Sequence, residues 1–252
     1  MKLSFVIPAH NEENYIGNCL KSVLKEIKGK HYDVEIIVVN NASTDSTKEV
    51  ALAYQGVKVV DEPKRGLPRA RQTGFLASNG DLIANIDADT ELPSGWIEKV
   101  FFEFSRNKNL VALSGPFIYY DRSKLTNFFV WSYYSVGYLL NLVNHYLLRI
   151  GAMLQGGNFV LRRTALEKIG GFNTNIEFYG EDTDIAKRIQ KIGRAKFSFF
   201  LPMYTSARRL SEEGIFVTSA KYVINYFWVL IFKKPFKSRY TYVGNTNKNK
   251  QL

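Results

Sequence analysis

Cysteine is nearly absent: Cys19 is the single one in 252 residues. One thiol excludes an internal disulfide and any cysteine-rich metal cluster. Cys19 lies in a helical pattern between Asn18 and Leu20, so it is expected to be a core thiol rather than a nucleophile. A secretory leader is also missing from Met1-Lys2-Leu3-Ser4-Phe5-Val6-Ile7-Pro8, which has one charge, a short apolar run and no small-residue cleavage site. That stretch reads as the first strand of a cytosolic domain. Zinc-finger spacing and aromatic RNA-binding motifs do not occur. The net charge of +11 is therefore not expected to serve nucleic acid. Charge itself is missing from Leu125 to Leu148, a run of 24 residues without Lys, Arg, Asp or Glu. Its length alone permits a membrane span, but Asn127, Gly137, Asn141, Asn144 and His145 dilute its apolarity.

What is present suits one large domain, or one domain with an appendage; a hydrophobic content of 46% is ample for a core. Strand-like and helix-like segments alternate. Leu3 to Ile7 is an apolar run closed by Pro8, and Ile16, Leu20, Val23, Leu24 and Ile27 share one helical face. Val34 to Val39 is a second strand. Ser43 or Thr44 is expected to cap a helix running towards Tyr54. Val57 to Val60, then Leu67 to Ala77, then Asp81 to Ile86 read as strand, helix and strand. This order predicts an α/β fold, a mostly parallel sheet flanked by helices. Ligands of such sheets bind beyond the carboxyl ends of the strands. Pro8 to Glu12, Asn40 to Asp45 and Asp87 to Asp89 all lie there.

Two acidic motifs carry the chemistry. Asn85-Ile86-Asp87-Ala88-Asp89 ends an apolar run in two carboxylates one residue apart. Side chains at i and i+2 leave a strand on the same side. Two hard oxygen ligands there suit a divalent cation carrying a diphosphate. Gly180-Glu181-Asp182 supplies a second pair before a helical pattern with Ile185, Ile189 and Ile192 on one face. One acid of that pair is positioned for work as a base. A plain reading stands beside each motif: a capped turn before Pro93 for the first, helix-start carboxylates for the second.

The chain resembles family 2 glycosyltransferases of the GT-A (Rossmann-like) fold. The resemblance rests on Val6-Ile7-Pro8-Ala9-His10-Asn11-Glu12-Glu13, Val38-Val39-Asn40-Asn41-Ala42-Ser43-Thr44-Asp45, and Arg65-Gly66-Leu67-Pro68-Arg69-Ala70-Arg71-Gln72-Thr73-Gly74. It continues through Asp81 to Asp89, Gly156-Gly157-Asn158-Phe159-Val160-Leu161-Arg162-Arg163, Gly170-Gly171-Phe172 and Gly180-Glu181-Asp182-Thr183-Asp184. It covers about residues 3 to 200. Each motif is weak alone; together and in order they are specific.

The resemblance implies an inverting enzyme that takes a sugar from a nucleoside diphosphate, UDP- or GDP-linked, with Mg²⁺ or Mn²⁺. By resemblance Pro8, Ala9 and Asn11 lie near the donor base and Glu12 near the ribose or base. Glu12 and Glu13 read equally as helix-start charge. Asn41 stands where the family commonly carries an aspartate that reads the pyrimidine, and an amide can still pair with a base edge. Arg71 is expected to grip donor phosphate, with Arg65 and Arg69 as substitutes. Asp89 is the expected direct metal ligand. Asp87 holds the ribose or ligates through water, and Asp182, with Glu181, supplies the general base. Arg208 and Arg209 are expected to hold the diphosphate. The acceptor is lipid-linked or saccharide; a polyprenyl phosphate, already ionised, needs a base less.

The expected organisation is a catalytic domain over residues 1–200, with a nucleotide-binding half at 1–90 and an acceptor half at 91–200. One membrane crossing at 125–148 would separate Asp89 from Asp182. That stretch is therefore read as a helical insertion over the acceptor side or on lipid headgroups, with His145 as a polar spot on it. Residues 201–243 form a membrane-proximal extension. Its uncharged run Tyr222 to Phe232 is flanked by Lys221, Lys233, Lys234, Lys237 and Arg239. Such a run suits a helix in a membrane interface or one packed on the sheet. Residues 244–252 are a polar tail. The whole places the protein in the cytoplasm, peripheral at the inner membrane face. A nucleotidyltransferase and a non-catalytic nucleotide-sugar binder are the alternatives; the former usually opens with a Gly-rich basic loop where Pro8 to Glu12 is acidic.

Overall fold

The computed structural model describes residues 1–143, 153–176 and 180–208. The elements run β1 (Leu3–Ala9), α1 (Ile16–Ile27), β2 (Val34–Asn40), α2 (Thr47–Leu52), β3 (Val57–Asp61), α3 (Leu67–Ala77) and β4 (Leu82–Ile86). There follow β5 (Thr90–Glu91), α4 (Trp96–Arg106), β6 (Leu110–Ser114), β7 (Phe117–Tyr119) and α5 (Lys124–Val143). The last are β8 (Asn158–Arg162), α6 (Arg163–Lys168), α7 (Glu181–Ile189), β9 (Arg194–Phe197) and β10 (Met203–Thr205). A seven-stranded sheet has the order β3-β2-β1-β4-β8-β6-β9, and a small sheet the order β5-β10-β7. Strands β3, β2, β1 and β4 are parallel; β8 runs antiparallel to both its neighbours. The α/β architecture and mostly parallel sheet are as expected.

Central β1 shows why the sheet is covered on both faces. All seven of its residues are buried. Leu3, Phe5, Ile7 and Ala9 join one apolar cluster with Ile16, Leu20, Trp96 and Phe104 of α1 and α4. Val6 points the other way, into a cluster with Ile37, Ile83, Phe159 and Phe75 of α3. The alternation is the pleat's period of two. Each fully buried side chain of this size contributes roughly 1.5–3 kcal/mol relative to exposure.

Some local expectations change. Helix α2 starts at Thr47, not at Ser43 or Thr44. Thr44 N–H is drawn instead to Asn11 Oδ1 at 2.8 Å, and Asp45 Oδ1 takes the Thr47 N–H at 3.0 Å. Ile192 falls beyond the end of α7 and is exposed, while Ile185 and Ile189 are buried. The expected insertion is helical over Lys124–Val143. Residues 144–148, Arg209, the extension beyond Arg208 and the polar tail lie outside the described residues.

Candidate active site

Topology alone gathers the motifs. Parallel β1, β2 and β4 end at Ala9, Asn40 and Ile86, and antiparallel β8 begins at Asn158, directly opposite Ile86. One sheet edge therefore carries Pro8 to Glu12, Asn40 to Asp45, Asp87 to Asp89 and Gly156 to Asn158. The first two loops are laced together. Asn11 N–H donates to Ser43 Oγ at 3.2 Å, Glu12 N–H to Thr47 Oγ1 at 2.7 Å, and Ser46 N–H to Glu13 Oε2 at 3.0 Å. His10 Nδ1 lies 2.7 Å from Asn41 O. Asn11 adopts a left-handed φ of 55°, which asparagine tolerates better than most residues. Its side chain locks this pair of loops. Pro8 and Ala9 are buried and present little surface to open space.

Asn41 does not present a base-reading edge. Its amide donates to Glu62 O at 3.0 Å and Lys64 O at 2.9 Å, while its Oδ1 accepts the Gly66 N–H at 2.8 Å. These three bonds occupy both amide hydrogens and an oxygen lone pair. The residue is 4% exposed. The expectation of donor contact gives way to a staple that shapes residues 62–66. An aspartate here would set its oxygens against two carbonyls, which accounts for the amide.

Arg71 also differs from its expected role. It lies inside α3, fully buried, with Nη1 on Glu181 Oε1 and Nη2 3.1 Å from Asp87 Oδ1. Its guanidinium packs 4.9 Å from the Phe159 ring centroid. It ties the two acidic motifs together from beneath rather than facing open space as a phosphate grip. Burial pushes the Glu181 carboxyl up to about 7, against the pull of Arg71. Glu181 Oε2 and Arg71 Nε have no hydrogen-bond partner among the described residues.

Glycines complete this wall. Gly157 has φ +80°, and a Cβ there would stand 2.1 Å from Asp87 Oδ2. A Cβ on Gly156 would stand 3.5 Å from both Asp182 Oδ2 and Glu181 Oε1. Fully buried Asn158 holds the turn by donating to Gly115 O at 3.0 Å and Leu201 O at 2.9 Å. Asp87, Glu181 and Asp182 thus converge on one glycine turn. The Asp182 carboxyl accepts the Thr183 N–H at 2.7 Å, and burial raises its pKa. Farther along, Gly171 gives room to Gln72, whose Oε1 accepts the Phe172 N–H at 2.9 Å.

Asp89 faces a different cation. Arg208 Nη2 is 3.1 Å from Asp89 Oδ2 and also pairs with Glu12 Oε1; its guanidinium lies 4.6 Å over the Tyr15 ring. Burial works against the Arg208 charge, but Asp89 and Glu12 outweigh it and raise its pKa. Burial pushes the Glu12 carboxyl up to about 7, and Glu12 Oε2 has no partner among the described residues. Sequence reasoning missed what presents Arg208. Asp121 accepts the Ala207 N–H at 2.8 Å and the Ser206 hydroxyl at 2.8 Å, fixing the turn before Arg208. No spacing signals that pairing, because the partners are 85 and 86 positions apart.

The fit of a divalent cation can be judged from these side chains. Among the described residues no group of three or more His, Cys, Asp or Glu could hold a metal ion. Asp87 and Asp89 offer two hard oxygen sites, each beside an arginine. Mg²⁺-type ions are held by one or two carboxylates plus substrate phosphates. A two-carboxylate set fits a cation that arrives with a diphosphate.

Comparisons with known proteins agree with this geometry. A sequence profile described as glycosyl transferase family 2 matches residues 4–170, and one described as N-terminal domain of galactosyltransferase matches residues 145–210. A probable glycosyltransferase, YdaM of Bacillus subtilis, is 31% identical over 202 residues, 76% of this chain and 47% of the relative. The chain spans about half of that relative and less of the other curated relatives that follow it. Among solved structures, mannosyltransferase PcManGT of Pyrobaculum calidifontis, in complex with GDP-Man and Mn²⁺, has a TM-score of 0.71 at 18% identity. That match covers 94% of this chain and 65% of that one. Glucosyl-3-phosphoglycerate synthase of Mycobacterium tuberculosis, in complex with Mn²⁺, UDP-glucose and phosphoglyceric acid, has a TM-score of 0.59 at 20% identity. Here the coverage is 92% of this chain and 79% of that one. With a family profile over residues 4–170 and its motifs on one sheet edge, the chain belongs to glycosyltransferase family 2.

Proposed function

We propose that this chain transfers a sugar, with inversion, from a nucleoside diphosphate to a lipid-linked or saccharide acceptor, working at the cytoplasmic membrane face. The observation that carries the reading is the meeting of Asp87, Glu181 and Asp182 at the Gly156–Gly157 turn, on the edge that also holds Glu12 and Asp89. The Mn²⁺ and nucleotide sugars bound in the two solved structures favour the same donor class. No helix among the described residues is long and apolar enough to cross a membrane.

Asp89, with Asp87, would hold Mg²⁺ or Mn²⁺. That ion supplies charge to stabilise the departing diphosphate. Arg208 pairs with Glu12 and Asp89 and would face diphosphate oxygens. Glu12 Oε2, lacking a partner among the described residues, is suited to accept from a donor ribose hydroxyl. Asp182 takes the proton of an acceptor hydroxyl; its raised pKa makes it a stronger base than an ordinary aspartate. Attack from its side, opposite the diphosphate, inverts the anomeric carbon. Glu181 and Arg71 position rather than react, because each is held in a buried pair.

The test is turnover of a panel of UDP- and GDP-sugars with Mn²⁺. Asp89→Ala is expected to abolish metal-dependent donor turnover at unchanged melting temperature. Asp182→Asn is expected to keep donor binding and lose transfer to a hydroxyl acceptor. Wild-type turnover in the first variant removes the metal assignment. Unchanged transfer in the second moves the base elsewhere or points to a phosphate acceptor.

A further inference from the structure

Asp87 and Asp89 are each paired with an arginine, but the two arginines are held differently. Arg71 is fully buried, packs on Phe159 and also pairs with Glu181. It cannot leave Asp87 without disturbing a second buried charge. Arg208 is 25% exposed, and both of its acidic contacts, Glu12 Oε1 and Asp89 Oδ2, fall on one nitrogen, Nη2. Its guanidinium rests on the half-buried Tyr15 ring rather than inside the core. Of the two arginines, Arg208 is the one free to exchange its partners.

The small sheet delivers Arg208 to this place. Strand β10 runs antiparallel to β5, with Tyr204 opposite Glu91 and Thr205 opposite Thr90. Asp89 comes just before β5, at the end where Ser206, Ala207 and Arg208 leave β10. The Arg208 N–H donates to Ser206 Oγ at 3.2 Å, and Asp121 fixes both Ser206 and Ala207.

A guanidinium and a divalent cation claim the same Asp89 carboxylate. The Asp89 side chain is 14% exposed, so water and salt screen the two like charges poorly. A diphosphate resolves the conflict. Its oxygens complete the coordination of a cation that has one or two carboxylates. They also accept N–H bonds from an arginine, whose planar fork matches phosphate geometry.

We propose that Arg208 competes with the divalent cation for Asp89, so that the metal is held well only when a diphosphate arrives with it and takes over Arg208. The residue thereby makes metal and donor bind jointly. The inference rests on the proposed donor site and names the side chain that couples its two occupants.

Manganese binding tests it. The full chain is titrated with Mn²⁺ alone, or with Mn²⁺ and UDP or GDP, and free Mn²⁺ is read by electron paramagnetic resonance, with protein-free nucleotide as the blank. Wild type is expected to bind Mn²⁺ alone about tenfold more weakly than with nucleotide. Arg208→Gln is expected to bind Mn²⁺ alone about tenfold more tightly than wild type, at unchanged circular dichroism, and to lose most of the gain from nucleotide. Arg208→Lys keeps the charge and is expected to stay near wild type towards Mn²⁺ alone, which a merely structural role does not require. If Arg208→Gln misfolds, Asp121→Ala loosens the same guanidinium from its anchor and is expected to tighten Mn²⁺ alone. Variants that bind Mn²⁺ alone no better than wild type overturn the proposal, as does a wild type that binds it equally well with and without nucleotide. If that wild type still turns over nucleotide sugars with Mn²⁺, the competition falls and the transferase reading stands. A wild type that takes up no Mn²⁺ under either condition removes the metal assignment together with the proposal.

Discussion

Arg71 and Glu181, 110 positions apart in sequence, form a buried ion pair beside Asp87, the aspartate that follows β4. A buried charge left without its partner is strongly destabilising, whereas replacing both partners by apolar groups is often neutral. Arg71→Met is therefore expected to lower the unfolding free energy by roughly 3–5 kcal/mol. The Arg71→Met, Glu181→Leu double variant is expected to recover most of that loss without recovering activity. Urea denaturation of the four members of this cycle measures the coupling. Additive losses would show that the pair contributes nothing as a pair.

The Glu181 carboxyl also sets a pH dependence. Its pKa is about 7 in the folded chain against an ordinary 4.5, with burial as the main cause. Between these values the folded state binds more protons than the unfolded state, so stability falls as pH rises. The metal-free protein is expected to lose melting temperature from about pH 5 to pH 7, and Glu181→Gln to flatten that slope. Parallel slopes in the two proteins would remove Glu181 as the source.

Asn41→Asp restores the residue common in the family and is expected to do harm here. Two carbonyls, at 3.0 and 2.9 Å, would lose their amide donors and meet a carboxylate. The cost is about 1–3 kcal/mol. Thermal unfolding checks it, and a stabilised variant with tighter uridine binding would return Asn41 to the base site.

Asp121 acts through Arg208. Removing its carboxylate releases Ala207 N–H and the Ser206 hydroxyl, and with them the turn that holds Arg208 against Asp89. Asp121→Ala is expected to raise the donor KM about tenfold, more than it lowers kcat, if Arg208 holds the diphosphate (1.4 kcal/mol is a factor of about ten). Arg208→Ala should then show no further effect in the Asp121→Ala background. Multiplying effects would mean that the two residues act separately.

Much of this protein was legible in its sequence because the signals are local. The period-two burial of β1, the apolar face of α1 and the Pro68 start of α3 follow from neighbouring residues, and so does the strand-end position of Asp87 and Asp89. From alternation follows a parallel sheet, and from the sheet the edge where ligands bind. Which way each side chain turned was decided only in three dimensions. Asn41 was taken up by carbonyls 21 and 23 positions on, Arg71 by an acid 110 positions on, and Arg208 by Glu12, 196 positions back. The capping residue of α2 shifted for the same reason, since Thr44 found a better partner in another loop. Hydrogen-bonding capacity is written in a residue's type, but its use depends on which groups burial brings within 3 Å or so (about 2.7–3.2 Å for N–H···O). Those groups come from distant parts of the chain, so they become known only when the sheet has closed the distances between them.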